Sequence, residues 1–185
     1  MDDLPRHRCL VYTGPQTKQL ARLAAAMLAH LKANYRCLCL NSPLMVDGMR
    51  AYLTAAGLNV AEEEFKRRLL LSCDQKHLQN GVFDPEYMIE QLRSACEEAV
   101  ADGHVGLWAT GDMAWEFGPD KDFSKLLEYE RALERLFETH PMLRGVCQYH
   151  ADILPAHAVN AAAISHPTLF VNETLSKLNP QYQTG

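Results

Sequence analysis

Residues 104–115 read HVGLWATGDMAW, and this stretch decides the fold. Val105, Leu107 and Ala109 interleave with Gly106, Trp108 and Thr110 in a run that is apolar on both faces, with Gly103 before it and Gly111 behind. A strand buried on both sides reads in this way, so the stretch is expected to be a central strand. Thr110, Asp112 and Trp115 then fall at its carboxyl end, where an open parallel sheet presents side chains to a ligand.

Outward from this strand, short apolar runs alternate with helix-period stretches. Asp84-Pro85-Glu86 is a cap followed by proline at the first helical position, and Tyr87, Met88, Leu92, Ala95, Cys96 and Ala99 continue a buried stripe until Gly103. On the other side a helix over 123–139 leads to a strand at 145–149, an alanine-rich helix at 155–165 and a last strand at 168–171. Towards the amino terminus, strands are expected at 8–12, 36–40 and 68–73. A helix over 17–32 carries Leu20, Leu23, Ala24, Met27, Leu28 and Leu31 on one face. A second starts at Pro43 with Ser42 as its cap and ends at Gly57. The segment AEEEFKRR reads as a helical turn and DQKHLQNGVF as a polar loop. Strands that alternate with helices of this length need crossovers, which predicts an α/β fold: a three-layer sandwich around a mostly parallel central sheet.

The composition agrees with one domain over residues 1–185. The 185 residues are 48% hydrophobic and 22% charged, enough to bury about 70% of the unfolded surface. With a net charge of −5 and no run of like charge longer than residues 62–64, no direct nucleic-acid partner is expected. MDDLPRHR lacks the apolar centre of a signal peptide, and no apolar run approaches the ~20 residues of a membrane span. The expectation is a cytoplasmic protein with no membrane partner. Its six cysteines mostly lie in strand-like runs, as thiols do in a reducing compartment.

The loop after the first strand, TGPQTKQ, is where a phosphate-binding enzyme would place its cradle. It has one glycine, Gly14, a proline beside it, and Thr17-Lys18 without the second glycine or a following hydroxyl, so it is a degenerate phosphate loop. Asp112 reads either as a Mg²⁺ ligand or as a cap for the next turn. Trp115, so close to Asp112, reads as a pocket wall. Gln148, Tyr149 and His150 are polar groups at the end of another strand and could meet Tyr12, Thr110 and Asp112 there. In the helix LLEYERALERLF, Leu126, Glu130, Leu133 and Phe137 share one stripe. Glu130 is therefore either a buried carboxylate needing a partner or a proton, or a residue at the stripe's edge reaching water. Cys37 and Cys39 share a strand face, as do His7 and Cys9. No CxxC or HExxH motif is present and a zinc site would need four distant strands, so neither metal nor cofactor is expected.

Several motifs together carry a resemblance. His7-x-Cys9 with Tyr12, GVFD at 81–84, GDMAW at 111–115, LLEYE at 126–130, CQY at 147–149 and SHP at 165–167 resemble the MEDS domain in order and spacing. MEDS is the sensory module of methanogens, methylotrophs and the dichloromethane-responsive repressor. The resemblance covers most of the chain, from His7 to about Tyr182. It implies a relative of the RecA and KaiC fold that has lost the phosphate loop, senses small hydrocarbon derivatives and is joined to a helix-turn-helix, a histidine kinase or another output. Where that family more often has glutamate, this chain has Asp112, one methylene shorter, so a ligand or bridging water at that carboxylate would have to sit closer.

The reading that follows is a non-enzymatic sensory domain binding a small, mostly apolar molecule at the carboxyl ends of the strands. His7, Tyr12, Thr110, Asp112, Trp115, Glu130, Gln148 and Tyr149 are its candidate ligand-binding residues, with no catalytic residue. No output segment is recognisable, so the expected signalling partner is a histidine kinase or transcription regulator in trans. The alternatives are an ATPase-like enzyme using Asp112 with Mg²⁺, and an interaction module that pairs protomers as a homodimer or docks a kinase.

Overall fold

The computed structural model describes residues 5–183. Strand β1 (His7–Tyr12) leads through one turn of 3-10 helix (Gln16–Gln19) into α1 (Leu20–Lys32), followed by β2 (Arg36–Leu40), α2 (Pro43–Ala55), α3 (Val60–Phe65) and β3 (Leu69–Ser72). A small hairpin of β4 (Leu78–Gln79) and β5 (Val82–Phe83) precedes α4 (Pro85–Ala101). After it come β6 (Leu107–Asp112), α5 (Met113–Glu116), α6 (Leu126–Thr139), β7 (Leu143–His150), α7 (Ala156–Ser165), β8 (Thr168–Phe170) and β9 (Ser176–Leu178).

Seven strands form one sheet in the order β3-β2-β6-β7-β1-β8-β9. All pairings are parallel except that of the edge strand β9 with β8. The fold is α/β, with helices on both faces, and β6 is interior, between β2 and β7. The tryptophan-bearing strand starts later than its apolar run suggests. Val105 lies outside it and is exposed, and Gly106 is pressed against the Met142 carbonyl, where a Cβ would stand 1.9 Å from the oxygen.

Side chains alternate across the sheet with period two, and this alternation sorts the core into two. Leu10, Cys37, Cys39, Trp108 and Val146 pack with α1, α2 and Val60 on one face. Cys9, Leu38, Leu40, Leu107, Ala109, Leu143, Cys147 and Tyr149 pack with α4, α6 and α7 on the other. The Asp84 side chain caps α4 by accepting from the Tyr87 N–H, with Pro85 in the first turn.

Four local features differ from the sequence reading. The polar stretch before α4 contains a hairpin: Asn80 and Gly81 both have positive φ (53° and 80°), the backbone a two-residue turn between strands requires. Residues 16–19 are 3-10 and not the start of the α-helix, directly after Pro15. Ser42 does not cap α2 through its side chain; its own N–H is taken by Asn41 Oδ1 at 2.8 Å. The short α5 and the edge strand β9 have too few residues to display a period. Among the described residues no helix is long and apolar enough to cross a membrane.

Candidate functional site

On the α1/α2 face, two separate hydrogen-bonded groups lie at the carboxyl ends of the central strands, one around Asp112 and one around Thr110. Asp112 ends β6 and caps α5: its Oδ1 accepts from the Ala114 N–H at 2.9 Å and its Oδ2 from the Tyr12 hydroxyl at 3.0 Å. Thr110 donates to the Val146 carbonyl at 2.7 Å and accepts from Gln148 Nε2 at 2.8 Å. Gln148 Oε1 in turn faces Asn41 Nδ2 at 3.5 Å, and the Tyr12 ring stacks on His150 at 4.8 Å. Burial raises the Asp112 carboxyl above its ordinary range, while the Tyr12 hydroxyl and the backbone N–H groups of α5 oppose the rise. Tyr12 is thus paired with Asp112 and Thr110 with Gln148, and Asp112 and Gln148 are register partners in β6 and β7.

Trp115, half-buried on α5, stands apart from them. Its ring lies 5.2 Å from that of His77, its carbonyl accepts from Gln75 Nε2 at 3.1 Å, and the next carbonyl, of Glu116, from His77 Nε2 at 2.8 Å. These bonds fasten the segment before the hairpin to α5.

The Glu116 side chain points inward, onto the opposite face of the sheet. It lies over the bare backbone of Gly111, where a Cβ would come within 1.4 Å of its Oε1. The residue is 2% exposed, and among the described residues Oε2 has no hydrogen-bond partner. Burial above all, then the charges of Glu130 and Asp112, hold this carboxyl well above the usual carboxylate range. It borders a cavity of about 30 Å³ between the sheet and helices α4 and α6, walled by Leu38, Leu40, Met88, Leu92, Met113, Tyr129, Leu133, Phe137 and Cys147, among others.

Beside that cavity, on the same face, lies a second buried cluster. Cys9 and Cys147 are register partners in β1 and β7, and His7 shares the face of Cys9 by period two. From above, α6 turns Glu130 into the sheet; it is fully buried despite its charge. His166 follows α7 and is equally buried. His7 Nε2 lies 3.4 Å from Cys147 Sγ and 3.7 Å from Glu130 Oε2, and His166 Nε2 lies 3.3 Å from Glu130 Oε2. The outward-facing nitrogens are engaged elsewhere: His7 Nδ1 with Glu134 Oε2 at 2.6 Å, His166 Nδ1 with the Ala162 carbonyl at 2.9 Å. Tyr149 donates its hydroxyl to Glu130 Oε1. Desolvation lowers His7 to about 3 and His166 well below its usual value; it raises Glu130 to about 8, against the pull of the Tyr149 bond.

The eight residues singled out from the sequence therefore divide. Tyr12, Thr110, Asp112 and Gln148 lie on one face of the sheet as two hydrogen-bonded pairs, His7, Glu130 and Tyr149 belong to a cluster on the other face, and Trp115 is in neither. Cys147 and His166 stood in the quoted motifs without a role; the register that joins them to His7 is invisible in one sequence. The sequence reading required four distant strands for a metal site, whereas these four donors come from two strands, one helix and the turn after α7. Glu116 was missed outright, since nothing in AWEF marks which way it points.

The loop after β1 is tied to the turn after β7: Gly14 adopts φ 77° and gives its N–H to Asp152 Oδ2 at 2.6 Å.

No curated protein sequence matches the chain. A family model does: the MEthanogen/methylotroph, DcmR Sensory domain (MEDS) matches residues 6–167, from just before β1 to just before β8, and takes in both buried clusters and the cavity. The chain belongs to the MEDS family of sensory domains.

Proposed function

We propose that this domain senses a small, mostly apolar molecule, a hydrocarbon derivative, in the cavity bordered by Glu116, without catalysing a reaction. The observation that carries the reading is the cavity itself: apolar walls with one buried carboxyl whose Oε2 lacks a hydrogen-bond partner among the described residues. Such a group donates or accepts one hydrogen bond and fixes the orientation of a ligand otherwise held by contact. The volume of about 30 Å³ exceeds the ~10–15 Å³ that a single water needs on this measure, but not by much. The ligand then has very few heavy atoms, or its entry pushes the walls apart. Movement of α4 and α6 against the sheet is the change that a transcriptional or histidine-kinase output in another chain would read, provided the ligand binds one arrangement better than the other.

The nucleotide-hydrolase alternative has less support, because both Asp112 oxygens are engaged within the protein and Gly14 faces Asp152. Thermal unfolding against short alcohols, amines and haloalkanes separates the readings. Saturable stabilisation is expected from at least one of them, about 2.7 kcal/mol at a hundred times its Kd. Ala109→Leu, which fills the cavity, should abolish the effect. Stabilisation by Mg²⁺-ATP and by none of the small molecules would overturn the proposal.

A further inference from the structure

We infer that His7, Glu130, Cys147 and His166 form a binding site for one divalent transition-metal cation of the zinc class, enclosed between β1, β7, α6 and the turn after α7. One atom from each of the four lies within 4.8 Å of the others, and all four residues are buried. Three of the separations are 3.3, 3.4 and 3.7 Å. Tetrahedral zinc with nitrogen and oxygen at ~2.0–2.1 Å and sulfur at ~2.3 Å holds its donors about 3.3–3.6 Å apart, so these three pairs are already within tenths of an ångström of it, and the wider ones have to close by at most about an ångström and a half.

The second observation is how the donors are oriented. Both histidines face acceptors with Nδ1, Glu134 Oε2 for His7 and the Ala162 carbonyl for His166. An acceptor there places the proton on Nδ1 and leaves the Nε2 lone pair aimed into the cluster. This outer arrangement of carboxylate or carbonyl behind imidazole is the one that orients metal-bound histidine. Glu130 is held likewise, with Oε1 taken by Tyr149 and Oε2 turned inward. As a result His166 Nε2 and Glu130 Oε2 face each other at 3.3 Å, and neither has a hydrogen-bond partner among the described residues. A cation between them uses both lone pairs; two anionic donors, Glu130 and the Cys147 thiolate, would balance its double positive charge in a place where net charge is costly. Thiolate and imidazole select zinc-like ions over Mg²⁺ and Ca²⁺. The rival occupant is a proton carried by Glu130 and shared with His166.

Chelator-treated protein titrated with Co²⁺ distinguishes the two without any small ligand, so failure here leaves the sensing proposal untouched. The expected result is one Co²⁺ per chain, with the strong visible absorption of four-coordinate cobalt and a thiolate-to-cobalt charge-transfer band, both removed by stoichiometric Zn²⁺ and unaffected by Mg²⁺. Cys147→Ser should lose the charge-transfer band, whereas Cys73→Ser, at an exposed thiol, should keep it. Glu134→Gln touches no metal and should still fold; it should weaken Zn²⁺ binding by about 10–100-fold, as loss of an outer partner does. Folded wild-type protein that binds neither ion stoichiometrically, or a thiolate band that depends on Cys73, would overturn the inference.

Discussion

Glu116 is a carboxyl group resting on bare backbone, and its burial gives it a measurable pH signature. Its folded pKa is raised above the unfolded value, chiefly by burial. Its contribution to stability is therefore complete below the ordinary glutamate range, ~4.3, and is lost as the pH climbs from there towards the folded value. The urea midpoint of the wild type should fall more between pH 5 and pH 9 than that of Glu116→Gln; equal slopes would mean that the carboxyl is not buried neutral. Glu130 calls for a different pair of variants. Glu130→Gln keeps the shape and an acceptor for Tyr149, while Glu130→Ala leaves that hydroxyl unpaired beside a hole and should cost on the order of 3 kcal/mol in chelator-treated protein. Both variants within about 0.5 kcal/mol of wild type would contradict the burial. Of these two acids only Glu130 was legible in the sequence, because a 14-residue helix displays a stripe and the four-residue α5 does not. Gln148 and Tyr149 mark the same limit differently: adjacent residues on a strand go to opposite faces, so polar groups clustered in sequence need not share a site.

At the level of elements, β6 and α5 depend on each other through Gly111. Alanine in a strand is ordinarily better than glycine, but here its Cβ would stand 1.4 Å from Glu116 Oε1 and 2.6 Å from Cδ. Gly111→Ala should cost about 1–3 kcal/mol by overpacking, and most of that cost should vanish in a Glu116→Ala background. A double-mutant cycle by urea unfolding measures the coupling; strictly additive effects would deny the contact. Asp84→Ala should remove about 1 kcal/mol by uncapping α4. Most elements were legible from periodicity and punctuation: β2 has the bounds its sequence suggests, and α4 starts at its capped proline. The hairpin had its signal too, Asn80-Gly81, but two-residue strands provide no alternation to support it.

At the scale of the molecule, the α/β layering was legible and the strand order was not, since a buried parallel strand reads the same beside any neighbour. That order and its register are what bring Cys147 beside His7 and form the cluster. They also make one sheet the wall of two cores, Leu53 lying in the one under α2 and Leu126 in the one under α6, both fully buried. The sequence reading expects a single domain, and the shared wall gives that expectation a test. Helices on either face contact the same central strands, so loss of packing on one side removes support from the other. Leu53→Ala and Leu126→Ala should each cost about 2–5 kcal/mol. Each should shift the urea transition followed by tryptophan fluorescence and the one followed by far-ultraviolet circular dichroism to the same new midpoint. In a Trp115→Phe background, where Trp108 is the remaining tryptophan, that residue, fully buried on the α2 side, would then report damage made beneath α6. A Leu126→Ala transition that splits, with the fluorescence midpoint unmoved and the dichroism midpoint lowered, would mean that the two layers unfold as separate units.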